Sequence, residues 1–402
     1  MLLWYNTKAS NLANAHFSEK QMNQTEQILL QAIQKSLWNT DITFPEDTDW
    51  NAVLKESEDQ AILGIVIGVA PTEAQKEWKA RASAGTAHYV RILHYQQLIS
   101  KLMTEHGIPL AILKGSAASV YYPTPSKRAM GDIDCIVPKN RYEEANKVLL
   151  NNGFTFVSEH FEKRHKSYVK DGVSFELHYH FSYTDIDVES FVEEGLKHLE
   201  IETVDGVSFP MLPKLANGLV LLAHMLHHFK TAVGLRQVID WMMYVNAVLD
   251  DTFWETEFKT AADQVGLTTA ACVATRMCQM HLGLSDRITW CKAADQGLCR
   301  ELMEKLLTSG NFGRKQGIGM AIESVSSHFR AEGVFHYLQK NGEINWKAYH
   351  KHKWLKPLAW IYQACRYVRK GILAKRKGTQ ISAGIARGQQ RNELYQKLKI
   401  GQ

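Results

Sequence analysis

The stretch Leu113-Lys114-Gly115-Ser116 is followed, sixteen residues after its serine, by Asp132-Ile133-Asp134 and later by Val173-Ser174-Phe175-Glu176-Leu177-His178. Alternate side chains of a strand share one face, so the two aspartates project the same way, about 6.5 Å apart along the backbone. The third stretch resembles another strand and adds one carboxylate, Glu176. Three carboxylates placed in this way suit a pair of Mg²⁺ ions about 3.5–4 Å apart, which is what metal-dependent transfer of a nucleotidyl group requires.

Strands and helices alternate around these stretches, between residues 106 and 208. Short apolar runs predict strands over Ile108–Leu113 and Asp132–Val137, and an amphipathic pattern predicts a helix over Arg141–Asn152. In the second strand, the residues that alternate with the aspartates are apolar and can enter a core. We therefore expect a sheet with carboxylates on one face and a core on the other.

A hairpin is predicted at Asp171-Gly172, a dipeptide that favours a tight turn between two strands. Before it, Ser167–Lys170 is predicted as a strand. After it, apolar and polar residues alternate strictly, so Glu176, His178 and His180 are expected to share one face. Charged and imidazole side chains beside an aspartate-bearing strand favour a functional site over a core.

Helical patterns flank this region on both sides. We expect an α+β fold in which a mixed sheet with helices, residues 106–208, lies between an N-terminal helical region, residues 1–105, and a C-terminal helical domain, residues 209–350. A basic segment that contains aromatic residues, 351–402, follows as a tail.

The composition is that of a folded, water-soluble chain. Of 402 residues, 45% are hydrophobic and 22% are charged, which is ordinary for a globular protein. The longest apolar run, Ala61–Ala70, is half the length of a membrane span, so no transmembrane span is expected. No signal peptide is recognisable, and the six cysteines show neither paired nor metal-binding spacing. We therefore expect a cytoplasmic protein with reduced thiols.

The positive charge is concentrated at the C-terminus. From Lys351 to the end there are thirteen Lys and Arg residues and one acid, Glu393, for a net charge of +12. The overall +5 leaves −7 for residues 1–350. The tail could contact RNA, because basic residues with interleaved aromatics grip phosphates and stack on bases. It could instead lie at an anionic membrane surface, or be simply solvated.

Residues near the aspartates suit the phosphates of a nucleotide. The turn Gly115-Ser116 brings amides and a hydroxyl toward a triphosphate, and Lys114 and Arg128 add positive charge. Gly131 gives the chain a flexible approach to the first aspartate. A solvated loop lysine remains an equal alternative for Lys114.

Several histidines are candidates for a supporting role. His178, His180 and His228 could support the metal ligands or contact an acceptor. His178 and His180 could equally be satisfied polar positions, and His228 could instead pack against the sheet region or lend positive charge to a phosphate. His224 and His228 are spaced i, i+4, but no carboxylate lies between them as in zinc proteases, so zinc is not expected there.

Taken together, these motifs resemble the uncharacterised nucleotidyltransferases of bacteria, a family of the polymerase-β-like nucleotidyltransferase superfamily. The resemblance spans about residues 45–250, and it is carried by Ile112-Leu113-Lys114-Gly115, Tyr121-Tyr122-Pro123, Arg128, Gly131-Asp132-Ile133-Asp134 and Phe175-Glu176-Leu177-His178.

The resemblance implies a polymerase-β-like nucleotidyltransferase core and assigns roles within it. Gly115 and Ser116 match the Gly-Ser turn of the superfamily, Asp132 and Asp134 its paired metal ligands, and Glu176 its third carboxylate. The chain departs from the family in two respects: the gap between the turn and the aspartates is longer than usual, and residue 179 is Tyr where the family often has Trp.

The predicted function is transfer of a nucleoside monophosphate from an NTP, such as ATP, to an acceptor hydroxyl or phosphate, with release of pyrophosphate. Two Mg²⁺ ions, or Mn²⁺ in their place, are expected on Asp132, Asp134 and Glu176. The acceptor is open between a sugar or other small molecule, a protein and RNA. The alternative is a non-catalytic module that binds a nucleotide or a partner on the same fold.

Overall fold

The structure is a computed structural model that describes residues 22–159, 164–183, 185–229, 233–311, 314–315, 333–376 and 381–400. Predictions for residues 1–21 and for residues 377–380 of the basic segment lie outside these described residues.

Between residues 22 and 105, four helices precede the sheet. They are α1 Gln24–Trp38, α2 Trp50–Asp59, α3 Leu63–Val66, which continues into a 3-10 turn at Ile67–Val69, and α4 Thr72–Glu105. Helix α1 begins at a capping box, in which Asn23 Oδ1 accepts from the Glu26 amide and the Glu26 carboxylate accepts from the Asn23 amide. Helix α4 ends before Gly107, whose φ of +60° favours glycine.

In the part of residues 106–211 that the structure describes, nine strands and three helices follow in chain order. They are β1 Ala111–Leu113, α5 Gly115–Ser119, β2 Ile133–Ile136, α6 Tyr142–Asn151, β3 Thr155–Glu159, β4 His165–Lys170, β5 Val173–His178, β6 Ser182–Tyr183, β7 Ile186–Asp187, α7 Glu189–Gly195, β8 Glu200–Val204 and β9 Val207–Met211, with 3-10 turns at Pro125–Lys127 and Lys139–Arg141. Because β9 ends at Met211, the sheet extends past residue 208, the predicted limit of the core.

Seven of these strands form one mixed sheet in the order β3-β4-β5-β2-β1-β9-β8. Strand β2 runs parallel to β5 and antiparallel to β1, and β1 runs parallel to β9. The predicted turn joins β4 to β5, with Asp171 at φ +49° and Gly172 at φ +77°, the left-handed geometry of a two-residue hairpin. The α+β fold with a mixed sheet is therefore confirmed.

The two faces of the sheet belong to different cores. Residues Ile133, Cys135, Phe175 and Leu177 are buried with side chains of α4 and α6 in one cluster. Because side chains alternate along a strand, the carboxylates of β2 and β5 lie on the opposite face. The second half of α4, although it lies in the predicted N-terminal helical region, thus packs on the sheet.

A helical assembly follows the sheet. It consists of α8 Lys214–Phe229, α9 Leu235–Ala247, α10 Asp251–Phe253, a π-helical turn at Trp254–Phe258, α11 Lys259–Gln264, α12 Thr268–Leu282 and α13 Gln296–Ser309. These helices share one large apolar core with α1, α2 and α3. Gly218 of α8 is needed there, because a Cβ at this position would lie 2.3 Å from the Tyr244 ring.

The described residues from 333 to the basic C-terminal segment are helical and partly buried. The helices are α14 Val334–Asn345, α15 Lys347–Lys351, a 3-10 turn at Lys353–Leu358, α16 Ala359–Arg376 and α17 Ile381–Lys397. Leu394, Leu398 and Ile400 are buried in the same core as α1. The solvated-tail alternative is therefore wrong for the end of the chain. Among the described helices, none has the length and apolarity that a membrane crossing requires.

Candidate active site

Three carboxylates meet at the centre of the sheet, on the face opposite α4 and α6. Asp134 and Glu176 are directly paired residues of the parallel strands β2 and β5, and Asp132 immediately precedes β2. Side-chain oxygens of all three lie within 4.8 Å of one another. We call Asp132, Asp134 and Glu176 the acidic cluster. The structure thus brings together the three residues that the sequence predicted as metal ligands.

Lys114 supplies a cation to this cluster. Its Nζ lies 2.6 Å from Asp134 Oδ1, and the side chain is almost fully buried, so the solvated-lysine alternative is wrong. The Lys114 backbone has φ +50° and ψ −131°, a region normally occupied by glycine, which costs of order 1–3 kcal/mol. The turn between β1 and α5 therefore holds the lysine against the acidic cluster at the expense of backbone strain.

His178 joins the cluster from the end of β5. Its Nε2 lies 3.0 Å from Asp134 Oδ1 and 3.4 Å from Glu176 Oε2. Burial by itself would lower the pKa of His178, but the hydrogen bonds to the two carboxylates outweigh burial and raise it. His178 is thus placed where the sequence expected a side chain that supports the metal ligands.

The charges of the acidic cluster are unevenly matched. The charge of Asp134, followed by burial, raises the pKa of Asp132 to about 6, and Lys114 offsets only part of this. Burial also opposes ionisation of Asp134, but Lys114 and His178 outweigh it and hold the pKa of Asp134 well below its usual range. Repulsion between Asp132 and Asp134 therefore persists, although Lys114 and His178 contact the cluster.

The repulsion between these carboxylates indicates whether a divalent metal ion fits the site. Carboxylate oxygens are the donors that Mg²⁺ and Mn²⁺ prefer, and a bound cation relieves repulsion between neighbouring carboxylates. The ammonium of Lys114 already demonstrates that Asp134 attracts a cation. The residues present therefore fit the metal ions that the sequence predicted.

The Gly115-Ser116 turn lies directly after β1. Gly115 has φ +24°, and Ser116 is in the first turn of α5. The Ser116 side chain is only 2% exposed, and its Oγ has no hydrogen-bond partner among the described residues. Buried hydroxyls are normally paired, so an unpaired one two residues after Lys114 suits a ligand contact.

Arg128 lies in a buried ion pair, and not in an open phosphate-binding position. Its Nε and Nη2 each donate to a carboxylate oxygen of Asp240 at 2.7 Å, and Tyr122 donates to the same carboxylate. The remaining Nη1 contacts the Ala129 carbonyl and the Met130 sulfur. We call Arg128 and Asp240 the buried pair. It ties the loop before β2 to helix α9.

Two predicted histidines have partners of their own. Strand β5 ends at His178, so His180 leaves the predicted face, and its Nδ1 lies 3.1 Å from Glu189 Oε2. His228 Nε2 lies 2.9 Å from His224 Nε2 in helix α8. Burial, followed by the charges of Lys114 and Arg236, lowers the pKa of His228 to about 4, so this side chain is neutral at physiological pH.

His165 is a site residue that the sequence analysis missed. It is the first residue of β4 and is paired with His178 across the hairpin. Its Nε2 lies 3.4 Å from Glu176 Oε1. The signal was available, because a two-residue turn at Asp171-Gly172 fixes the register that places these two histidines opposite each other. The predicted strand began too late, at Ser167, to include it.

The sequence matches a known protein family. A sequence profile of a family described as "Uncharacterised nucleotidyltransferase" matches residues 46–283, more than half of the 402-residue chain. No curated protein matches the chain.

Two solved structures also align. One is the solution structure of the antibiotic-resistance factor ANT(2'')-Ia, with 12% identity over 45% of this chain and 94% of that chain and a TM-score of 0.33. The other is the crystal structure of an antigenic nucleotidyltransferase-like protein from Paracoccidioides brasiliensis, with 14% identity over 50% and 93% and a TM-score of 0.31. Likeness at these TM-scores supports no further conclusion.

Proposed function

The chain belongs to the family of uncharacterised nucleotidyltransferases, and we propose a reaction for it on this basis. The reaction is transfer of a nucleoside monophosphate from an NTP to an acceptor hydroxyl or phosphate. The observation that carries it is the acidic cluster. Its three carboxylates have oxygens within 4.8 Å of one another, and the charge of Asp134 raises the pKa of Asp132.

The bond changes are those of an in-line displacement at the α-phosphorus. An acceptor oxygen forms a bond to that phosphorus, the bond from it to the bridging oxygen of the β-phosphate breaks, and pyrophosphate leaves. The proton of an acceptor hydroxyl is released to solvent or to a basic group. No oxidant or reductant is needed.

Residues of the chain then have distinct tasks. The acidic cluster would hold two divalent metal ions, which when bound increase the nucleophilicity of the acceptor and neutralise the leaving pyrophosphate. Lys114 would exchange its contact with Asp134 for a phosphate oxygen, and the unpaired Ser116 hydroxyl would donate to the triphosphate. His178 would keep Asp134 and Glu176 oriented.

Labelled NTP tests the proposal. Purified protein is incubated with each NTP carrying ³²P at the α-phosphate, together with cell extract, with Mg²⁺, with Mn²⁺ or with EDTA. We expect label in one acceptor class, RNA, protein or small molecule, and none with EDTA or with Asp132→Asn. Transfer by Asp132→Asn at the wild-type rate would contradict the assignment. Metal-dependent NTP binding without any transfer would favour the non-catalytic alternative.

We further infer that helix α16 docks on an anionic membrane surface. Ile361, Val368 and Ile372 form an exposed apolar stripe at helical spacing, with Arg366 and Arg369 on the same helix. An amphipathic helix of this kind lies in the interface of a bilayer that carries negative charge.

Two tyrosines of helix α16 are engaged within the chain, whereas Trp354, in the turn before this helix, is 74% exposed. Tyr362 stacks on Trp346 with rings 5.2 Å apart, and Tyr367 stacks on Tyr337. These rings are therefore engaged within the chain, and the exposed stripe beside them is aliphatic, which suits acyl chains better than bases.

Co-sedimentation tests this docking. With vesicles of phosphatidylcholine and phosphatidylserine we expect the full chain to sediment, and Val368→Asp to weaken this strongly. Val90→Asp is the matched control, because Val90 is exposed to the same degree, 61% against 63%, on helix α4. Equal loss in both variants, or sedimentation with RNA and not with vesicles, would overturn the proposal.

A further inference from the structure

We propose that His165, Glu176 and His178 form a binding site for a first-row transition-metal ion, distinct from the Mg²⁺ positions of the acidic cluster. We call these three residues the imidazole cluster. The inference does not depend on the transfer reaction, because it rests on ligand geometry alone.

The hairpin places the three side chains on one face. His165 and His178 are directly opposite each other in the antiparallel pair β4–β5, and Glu176 lies two residues before His178 on the same strand. Residues two apart on a strand share a face, and opposite residues of paired strands are neighbours. The hairpin register, and not the conformation of a loop, therefore sets the geometry of the imidazole cluster.

The distances suit coordination of a small ion. Glu176 Oε1 lies 3.4 Å from His165 Nε2, and Glu176 Oε2 lies 3.4 Å from His178 Nε2. In tetrahedral zinc sites with ligand bonds of about 2.0–2.1 Å, neighbouring ligand atoms are about 3.3 Å apart. The two imidazole rings have centroids 4.6 Å apart, and the ligand atoms of all three residues lie within 4.8 Å of one another.

Ligand chemistry separates this site from its neighbour. Mg²⁺ prefers oxygen donors, whereas imidazole nitrogen favours Zn²⁺, Fe²⁺ and similar ions. The acidic cluster offers oxygen only, and the imidazole cluster offers two nitrogens with one carboxylate. Glu176 belongs to both sets, and His178 Nε2 also lies 3.0 Å from Asp134 Oδ1, so an ion in either site acts on the other through these two residues.

Burial further supports a built site. The His178 side chain is 8% exposed and that of His165 is 13% exposed, so neither ring is freely solvated. The two imidazoles approach different oxygens of one carboxylate, so an ion bound between them would meet both nitrogens and at least one oxygen. An ion there would fasten β4 to β5 and fix the orientation of Glu176.

Calorimetric titration with Zn²⁺ tests the proposal on the full chain. The protein is stripped of metal and titrated in excess Mg²⁺, which occupies the oxygen-only positions. We expect one Zn²⁺ to bind per chain, and His165→Ala to weaken this binding by at least about tenfold. His180→Ala, the control, should not change it, because His180 is exposed and pairs with Glu189.

Two more variants exclude other locations. Asp132→Asn should lose nucleotidyl transfer and keep Zn²⁺ binding, so failure of the proposed function is distinguishable from failure of this site. His228→Ala should also keep it. If His165→Ala binds Zn²⁺ as the wild type does, or if Asp132→Asn or His228→Ala abolishes binding, the proposal is overturned.

X-ray absorption at the zinc edge of the wild-type protein gives a result that does not depend on any variant's folding. We expect two imidazole nitrogens and carboxylate or water oxygens around the ion. A shell of oxygen alone would overturn the proposal.

Discussion

The acidic cluster and the buried pair are both ionic, and Arg128 of the pair lies four residues before Asp132 of the cluster, yet their charges are matched differently. In the buried pair, one guanidinium meets one carboxylate through two hydrogen bonds of 2.7 Å. In the acidic cluster, three carboxylates crowd together, and the pKa of Asp132 is raised to about 6 by its neighbour Asp134.

The difference indicates that the buried pair stabilises the fold and that the acidic cluster binds ligands. A buried pair whose hydrogen bonds are complete contributes to stability mainly because removing one partner strands the other. A cluster of carboxylates that repel one another does not stabilise the fold, but it attracts cations from solution. Matched Asp→Asn changes in the two places should therefore have opposite consequences for activity and stability.

The largest effect is expected on catalysis. Asp132→Asn removes a metal ligand and should lower the rate of label transfer by at least about a thousandfold, since metal-ion stabilisation is worth several kcal/mol. Because the Asp132 charge is repelled by Asp134, the free energy of unfolding should stay the same or rise. Urea denaturation measures the free energy of unfolding. A marked loss of stability in Asp132→Asn would show that the acidic cluster, like the buried pair, stabilises the fold.

The next effect concerns the fold. Asp240→Asn should lower the free energy of unfolding by about 3–5 kcal/mol, because it leaves the Arg128 charge buried without a counter-charge. Urea denaturation measures this directly. The control is Lys197→Ala, which breaks an exposed pair with Glu194 and should have no measurable effect. A wild-type denaturation midpoint in Asp240→Asn would show that the buried pair is not structural.

A smaller effect is expected at the turn before α5. Ser116→Ala should raise the KM for NTP about tenfold or more, because a hydrogen bond to a charged group contributes about 1.5–3 kcal/mol. Its stability should not fall, since the Oγ has no partner among the described residues. Ser119→Ala is the comparison, because its hydroxyl donates to the Ser116 carbonyl and should affect stability and not KM. A destabilised Ser116→Ala with unchanged KM would assign Ser116 to the fold.

The sheet was largely predictable because its signals are local. Alternation around the Asp171-Gly172 turn predicted strands that the structure contains, and the residues that alternate with the aspartates, Ile133 and Cys135, enter a core as expected. The end of β5 was not predictable from alternation. Phe181 continues the pattern, yet it is buried in the core shared with the C-terminal helices. A repeating pattern does not indicate where the chain leaves a sheet.

The candidate site was predictable only where its residues are near in sequence or share a register. Side chains two residues apart on a strand share a face, which predicted that Asp132 and Asp134 lie together. In the structure both are adjacent to Glu176. The role of Arg128 was beyond the sequence, because its partner Asp240 is 112 residues away, on a helix whose docking depends on the whole core. Long-range ion pairs leave no local periodicity.

The central claim is that the acidic cluster binds an NTP through divalent metal, and calorimetry with an ATP analogue that cannot be cleaved between its α- and β-phosphates tests it without knowledge of the acceptor. We predict binding by the wild type in Mg²⁺, little binding in EDTA, and loss of the Mg²⁺ dependence in Asp132→Asn. Equal affinity in Mg²⁺ and EDTA, or unchanged Mg²⁺-dependent binding in Asp132→Asn, would contradict the claim.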